Sequence, residues 1–488
     1  MGKLRFFIAL WAAKLSIVAL KITQHNGTNF PGVLALKLCP QFLKYADKPE
    51  KIIAVTGTNG KTTVCNMLLD ILTMDGNRVL NNKMGSNINS GIASSLIYGS
   101  SIFGKCKYKI GVFEVDERSA LRVFPYMKPD YLLITNLSRD SIMRNGHPEY
   151  IAGILDRYIP KSTKLILNAD DLISSAIAPE NSRVYFGIEK MPGDIKECIN
   201  LINDLQICPE CHNRLEYEYL RYNHIGRAFC PECGFKAPEY DYAGINVSLE
   251  DMKIEVRDKE GIGCYRLLNE SVFNIYNVIS AVALLREMGY SHEKLEGFFQ
   301  NLNIVGSRFD EEHVGNKTLY RLLAKEKNAF ATSRVFDYIS TLPGDKEIIL
   351  MNSCQGDMKH WSENTCWLYD CDFEFLNREE IKNIVLCGPR RLDHRLRLLL
   401  AGVPEDKLSY AEKETDAPDK LKLFDNDNVF VLYGTDSIVL GMKVADRVLD
   451  MMKKSTVDGR GGEEEWKRES ESKCCSLKSQ TFTATLRT

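Results

Sequence analysis

The chain has 488 residues, 44% hydrophobic and 26% charged, with a formal net charge of −2. That is enough for two or three domains with real cores, and the charge balance excludes a general nucleic-acid or anionic-membrane binder driven by overall basicity. Fifteen cysteines, eleven of them outside any framework spacing, point to a reduced, cytoplasmic protein.

Phe6 to Ala13 is apolar and follows Lys3 and Arg5, as in a signal peptide, but Lys14 interrupts the run. It falls short of the roughly 20 residues that cross a bilayer. The reading is an amphipathic helix that packs on the body or rests against a membrane surface. Residues 1–48 read as that helix and a connection containing Gly27, Pro31 and Gly32.

From residue 49 the pattern becomes strand, loop, helix. Lys51 to Val55 has strand length, and Thr63 to Leu72 carries helical apolar spacing. Apolar runs at Tyr108–Val115, Tyr131–Thr135 and Lys164–Leu167 repeat the rhythm. Alternating strands and helices predict an α/β fold with a parallel sheet covered on both faces. Val272 to Met288 reads as an amphipathic helix, and strands at 347–350, 383–386 and 429–432 predict a second α/β region. The domains expected are 1–48, 49–300 with an insertion at 205–240, 301–452, and a polar tail at 453–488 that does not fold.

Between the first strand and helix stands Thr56-Gly57-Thr58-Asn59-Gly60-Lys61-Thr62-Thr63. Glycines at a strand-to-helix turn let backbone N–H groups meet phosphate, with Lys61 reaching the β- and γ-phosphates of ATP and the Thr62 hydroxyl on Mg²⁺. Val55 stands where the usual Walker pattern has glycine, so the motif is the shorter Gly57-x-x-Gly60-Lys61-Thr62. In the insertion, Cys208-x-x-Cys211 and Cys230-x-x-Cys233 have the spacing of a zinc ribbon. Four thiolates leave no open position, so that zinc is structural; an iron–sulfur or redox role is the alternative. The mixed charges around the ribbon favour no nucleic acid.

The loop resembles that of the Mur-ligase superfamily, which implies a central ATP-binding domain and a downstream strand delivering a glutamate to Mg²⁺. Glu114, in Phe113-Glu114-Val115-Asp116-Glu117, fits that role; a solvated strand end is the alternative. The same resemblance places Asn136, Asn168 and Asn277 near the nucleotide and gives Arg308 the γ-phosphate.

The segment ahead of the loop is too short for the domain by which full-length Mur ligases bind UDP. That start, the four-cysteine ribbon, Phe30-Pro31-Gly32, Trp367 to Glu374 and Gly388-x-Arg390-x-x-Asp393 with Arg397 resemble the MurT family. The resemblance runs from about residue 8 to 450. It implies the synthetase subunit of the glutamine-dependent lipid II isoglutaminyl synthase, amidating the D-glutamate α-carboxylate of lipid II through an acyl phosphate. Ammonia comes from a separate GatD-type glutaminase, so the assembly is a heterodimer working at the inner membrane face. The family's C-terminal domain lends an acid to that glutaminase. Asp357 is the first choice here and Asp370 the second, with turn or cap residues as the alternative.

Departures from the family pattern are Asn364 where a second Asp stands, Leu323-Ala324-Lys325-Glu326-Lys327-Asn328 in place of Leu-Ala-Lys-Asn-Pro, and Tyr433-Gly434-Thr435 in place of Tyr-Thr. They leave room for a divergent branch with a related acceptor. Two other readings stand beside this one: a Mur-type ligase joining another amine to a carboxylate, and a nucleotide-sensing scaffold.

Overall fold

The computed structural model describes residues 2–23, 28–83, 86–139, 147–269, 271–302, 309–324, 328–351, 365–423 and 428–455. The chain divides into two compact units, Met1–Val305 and Gly306–Thr488.

The first unit opens with helices α1 (Gly2–Ile22), α2 (Phe30–Leu38) and α3 (Phe42–Tyr45). Phe6, Ala9, Leu10 and Ala13 bury one face of α1 in the same core as Phe42 and Leu43. The expected connection around Pro31 and Gly32 is instead the first turn of α2, where proline's fixed φ is compatible with a helix start. Gly32 is needed there: a Cβ would lie 1.9 Å from the Ser90 carbonyl.

Strands and helices then alternate: β1 (Lys51–Thr56), α4 (Lys61–Met74), β2 (Val79–Asn81), α5 (Asn89–Gly99), β3 (Ile110–Glu114), α6 (Ala120–Val123), β4 (Tyr131–Ile134), α7 (Pro148–Tyr158), β5 (Lys164–Asn168), α8 (Leu172–Ser175) and β6 (Arg183–Ile188). A hairpin, β7 (Glu216–Tyr222) with β8 (Ile225–Phe229), interrupts them. The sheet resumes with β9 (Tyr242–Ser248), β10 (Lys253–Asp258) and β11 (Gly261–Arg266), followed by α9 (Val272–Glu287) and α10 (His292–Gln300).

Nine strands form one sheet in the order β11-β10-β9-β6-β5-β4-β1-β3-β2. It is parallel from β2 to β9 and antiparallel across the β9-β10-β11 edge. Ile52 to Val55 are all buried, as expected of a central strand covered on both faces. Val55 pairs with Glu114 on one side and Leu133 on the other, so the loop after β1 emerges between the ends of β3 and β4. A crevice at the carboxyl ends of parallel strands is where α/β folds bind ligands.

The helix at 272–288 is present but not amphipathic. Every residue from Asn274 to Leu285 is buried, because α9 lies between the sheet and α4 rather than on the surface.

The second unit contains β12 (Phe309–Val314), β13 (Lys317–Leu323), α11 (Ala329–Thr341), β14 (Lys346–Leu350), α12 (Trp367–Asp370), β15 (Ile381–Cys387), α13 (Arg391–Leu400), β16 (Leu408–Ala411) and β17 (Asn428–Tyr433). A closing helix, α14, covers 438–455 and runs past the boundary at 452 expected from composition. Its sheet order is β12-β13-β17-β14-β15-β16, parallel except for the β12–β13 hairpin. Apolar clusters cover both faces, one built with Phe336, Phe373 and Leu398, the other with Val444, Val448 and Met452.

Candidate active site

The loop after β1 is shaped by two glycines in the left-handed region, Gly57 at φ +124° and Gly60 at φ +90°. At Gly57 a Cβ would stand 2.3 Å from the Thr135 hydroxyl, and at Gly60 2.1 Å from the Asn277 side-chain oxygen. Both positions therefore need glycine for conformation and for space.

Residues just after β4 clasp this loop. The Thr58 N–H donates to the Asn136 carbonyl (2.7 Å) and the Ser138 N–H donates to the Thr58 hydroxyl (2.9 Å). The Asn136 side chain accepts from the Asn59 N–H (3.2 Å) and donates to the Asn59 carbonyl (3.1 Å). Thr135 donates to that same carbonyl at 2.6 Å. Asn136 thus shapes the loop, whereas Asn168, fully buried, sits a layer below and donates to the Thr135 carbonyl at 3.2 Å. Asn277 reaches the loop from α9, against Gly60.

Lys61 opens α4, with Thr62 and Thr63 in the same first turn. N–H groups there have no upstream helical carbonyl to donate to, which is the basis of anion binding at helix starts. The Thr62 hydroxyl donates to a Glu114 carboxylate oxygen at 2.8 Å, and Asn87 donates to the other oxygen at 3.0 Å. Asn82 pins the Glu114 backbone with a bond in each direction, at 2.9 and 2.8 Å. A hydroxyl and an oriented carboxylate are hard oxygen donors of the kind Mg²⁺ takes.

The Lys61 ammonium donates to the Gly57 carbonyl and forms an ion pair with Glu117 at 2.8 Å. Burial pushes the Glu117 carboxyl above its ordinary range, and the nearby ammonium only partly offsets this. Sequence reasoning singled out Glu114 and passed over Glu117. The available signal was three acids in four residues at a strand end. A 3-10 turn, Glu117–Ser119, capped by the Asp116 side chain, folds Glu117 back to the lysine.

A buried polar network runs from this loop to the cysteine module. Asp171, fully buried, accepts from the Leu137 N–H at 2.6 Å and caps α8 through the Ile173 N–H at 3.1 Å. His224, in the β7–β8 turn, lies 3.3 Å from the same carboxylate, and Arg221 of β7 pairs with buried Asp170 at 3.1 Å. Tyr276, one residue before Asn277, also donates to Asp170, at 2.7 Å. The hairpin is therefore anchored in the body of the first unit.

Cys208, Cys211, Cys230 and Cys233 bring their sulfurs within 4.8 Å of one another. Cys208 lies 3.6 Å from Cys233, and Cys211 lies 3.5 Å from Cys230. Four sulfurs about 2.3 Å from one ion would stand about 3.8 Å apart, so this tetrad can hold a metal. Each knuckle is closed alike: the His212 N–H returns to the Cys208 carbonyl (3.1 Å), and the Gly234 N–H to the Cys230 carbonyl (3.1 Å).

Arg308 and Asp357 lie outside the described residues, as do Lys325 and Asn364. Asp370 ends α12 in the second unit, half-buried. Arg397 braces that helix, donating to the Leu368 and Cys371 carbonyls at 3.1 and 2.7 Å and to the Glu374 carboxylate.

Residues 55–206 match the Mur ligase middle domain, and residues 326–435 match the MurT ligase C-terminal family. Similar solved structures include a pseudomurein peptide ligase type C from Methanothermus fervidus, at TM-score 0.61 and 20% identity over 84% of this chain and 81% of that one. MurF from Acinetobacter baumannii gives TM-score 0.57 and 16% identity over 86% and 80%. Among sequences, the lipid II isoglutaminyl synthase (glutamine-hydrolyzing) subunit MurT of Staphylococcus aureus strain COL is 30% identical over 406 residues, 82% of this chain and 89% of that protein. The subunit of the same name from Streptococcus pneumoniae R6 is 29% identical, over 79% and 84%. With a Mur-type phosphate loop, a MurT-type second unit and this likeness along four-fifths of its length, the chain belongs to the MurT family.

Proposed function

We propose that this chain is the ATP-dependent synthetase subunit that amidates the D-glutamate α-carboxylate of the lipid II stem peptide to D-isoglutamine. The observation that carries the reading is the convergence of Lys61, Thr62 and Glu114 on one glycine loop, in a chain of the MurT family. A substrate carboxylate oxygen attacks the γ-phosphorus of ATP and ADP departs, leaving an acyl phosphate. Ammonia then attacks the acyl carbon, phosphate leaves, and a proton is released. Lys61 neutralises charge on the transferring phosphoryl group, while Thr62 and Glu114 would hold Mg²⁺, which would supply electrostatic stabilisation there. Arg308 adds the γ-phosphate contact in this reading. Neither step needs a protein nucleophile.

Ammonia reaches the site from a separate GatD-type glutaminase bound as a heterodimer, and Asp357 or Asp370 supplies that partner's acid. The four cysteines hold structural zinc, and the chain works at the cytoplasmic face of the membrane, where its lipid-linked acceptor is embedded.

The test incubates purified protein with ATP, Mg²⁺ and detergent-dispersed lipid II, adding ammonium or glutamine. Ammonium alone should support lipid II-dependent ADP release, and glutamine should require the glutaminase. No ADP release under either condition, with the partner present, contradicts the reading. Metal analysis should find one zinc per chain, and a chelator should lower the melting temperature.

A further inference from the structure

Helix α1 is apolar on two opposite faces. One is buried in the first unit through Phe6, Ala9, Leu10 and Ala13. On the other, Leu4, Ile8, Trp11, Leu15, Val18 and Ile22 are all exposed, Ile22 at 76%. At 3.6 residues per turn these six fall within an arc of about 80°, a single stripe along the helix. The 101–104 turn extends it. Trp11 donates its indole N–H to the Ile102 carbonyl at 2.9 Å, and beside it Ile102 and Phe103 project at 60% and 74% exposure.

The charges on α1 itself are all basic, and the nearest acid bonded to the 105–107 segment is Asp47, which accepts from the Cys106 N–H at 3.0 Å. Residues 1–46 contain six Lys or Arg (Lys3, Arg5, Lys14, Lys21, Lys37, Lys44) and no Asp or Glu, in a chain whose net charge is −2. Lys105, Lys107 and Lys109 follow the Phe103 turn, all exposed. Lys14 has a structural task, donating to the Ile97 and Ser100 carbonyls at 2.9 and 2.8 Å where α5 ends. Lys3, Arg5 and Lys21, on the same helix as the stripe, are exposed. No described helix is long and apolar enough to cross a membrane. A continuous apolar stripe with a basic border and a tryptophan within it is the chemistry of a helix that lies in the headgroup layer.

We infer that the α1 stripe and the Ile102–Phe103 turn form a docking face for an anionic phospholipid surface, holding the synthetase flat against the bilayer that carries its acceptor. The inference rests on the lipid II reading for its purpose, but its test does not. The net charge of −2 does not reveal this face, because the first 46 residues carry basic residues and no acidic ones.

Flotation tests it directly, using the full chain with vesicles of phosphatidylcholine alone or of equal parts phosphatidylcholine and phosphatidylglycerol. The wild type should float with the anionic vesicles and be partly released by high salt. Ile8→Ser/Phe103→Ser, at two exposed positions, should lower partitioning by about tenfold or more, and Lys3→Gln/Lys21→Gln should lower it only on the anionic vesicles. ADP release with detergent-dispersed lipid II should be unchanged in the serine variant. Absence of wild-type flotation with anionic vesicles overturns the inference, as does a serine variant that floats equally well. It is also overturned if the serine substitutions dissolve a dimer or a glutaminase complex instead, since a protein then covers the face. Failure of the detergent assay in the wild type would contradict the amidation reading and leave the vesicle result standing.

Discussion

Lys61 and Glu117 form an ion pair 2.8 Å apart whose side chains are 12% and 3% exposed, so the phosphate loop's only lysine stands against a buried carboxylate. Removing the lysine leaves that charge without its partner. Lys61→Met should lower ATP turnover about a thousandfold and destabilise the first unit by about 3 kcal/mol. The sign of the pH dependence follows from Glu117. Its folded carboxyl already lies above the ordinary 4.5 and rises further without the ammonium. The deficit is therefore absent below the unfolded carboxyl's range and grows as pH climbs through the raised value. Lys61→Met/Glu117→Gln should regain most of the stability and none of the turnover. Denaturant midpoints at acid and neutral pH, with ADP release, check this.

The two glycine positions Gly60 and Gly76 separate space from conformation. Both have positive φ, +90° and +81°, but a Cβ at Gly60 meets Asn277 whereas one at Gly76 meets nothing within 4 Å. Gly60→Ala should abolish nucleotide binding. Gly76→Ala should cost only the left-handed strain, about 1–2 kcal/mol, and leave activity intact. Titration with a fluorescent ATP analogue distinguishes them.

Much of this site was legible because its signals are local. The glycine loop, the paired cysteines and the apolar strand runs each lie within a few residues of sequence. Glu117 was missed because its partner is fixed by a turn after β3, and Asn82 and Asn87 because only the β2–β3 pairing and the turn before α5 bring them to Glu114. Burial on all sides hides the surroundings of α9 from its apolar spacing, and apolar spacing alone does not say which of the two apolar stripes of α1 is buried. Arg308 and Asp357, whose roles rest on the family resemblance, lie outside the described residues.

Asp171 ties α8 to the segment after β4, with His224 of the cysteine hairpin 3.3 Å away. Its loss would orphan the buried Leu137 N–H and uncap α8. Asp171→Ala should destabilise the protein by about 2 kcal/mol and raise the KM for ATP several-fold through a displaced Asn136. Asp171→Asn, which keeps one acceptor, should lie between. Steady-state kinetics and thermal melts measure both.

His394, fully buried, has ring centroids of Trp367 and Phe373 at 6.4 and 6.2 Å. Burial, with Arg390 adding to it, holds its imidazole down to about 4. The folded value lies below the unfolded one, so this contribution is complete above about pH 6.5 and lost as pH falls toward 4. The second unit should lose about 3 kcal/mol over that window, and His394→Leu should flatten the dependence. Denaturant midpoints across the window test it.

The central claim concerns a product, and tandem mass spectrometry of lipid II after incubation with ATP, Mg²⁺ and heavy-nitrogen ammonium addresses it most directly. The account predicts one heavy nitrogen as the α-amide of the D-glutamate residue, formed by the wild type and absent with Lys61→Met. Label on a different carboxylate, or none in the presence of ATP turnover, would contradict it.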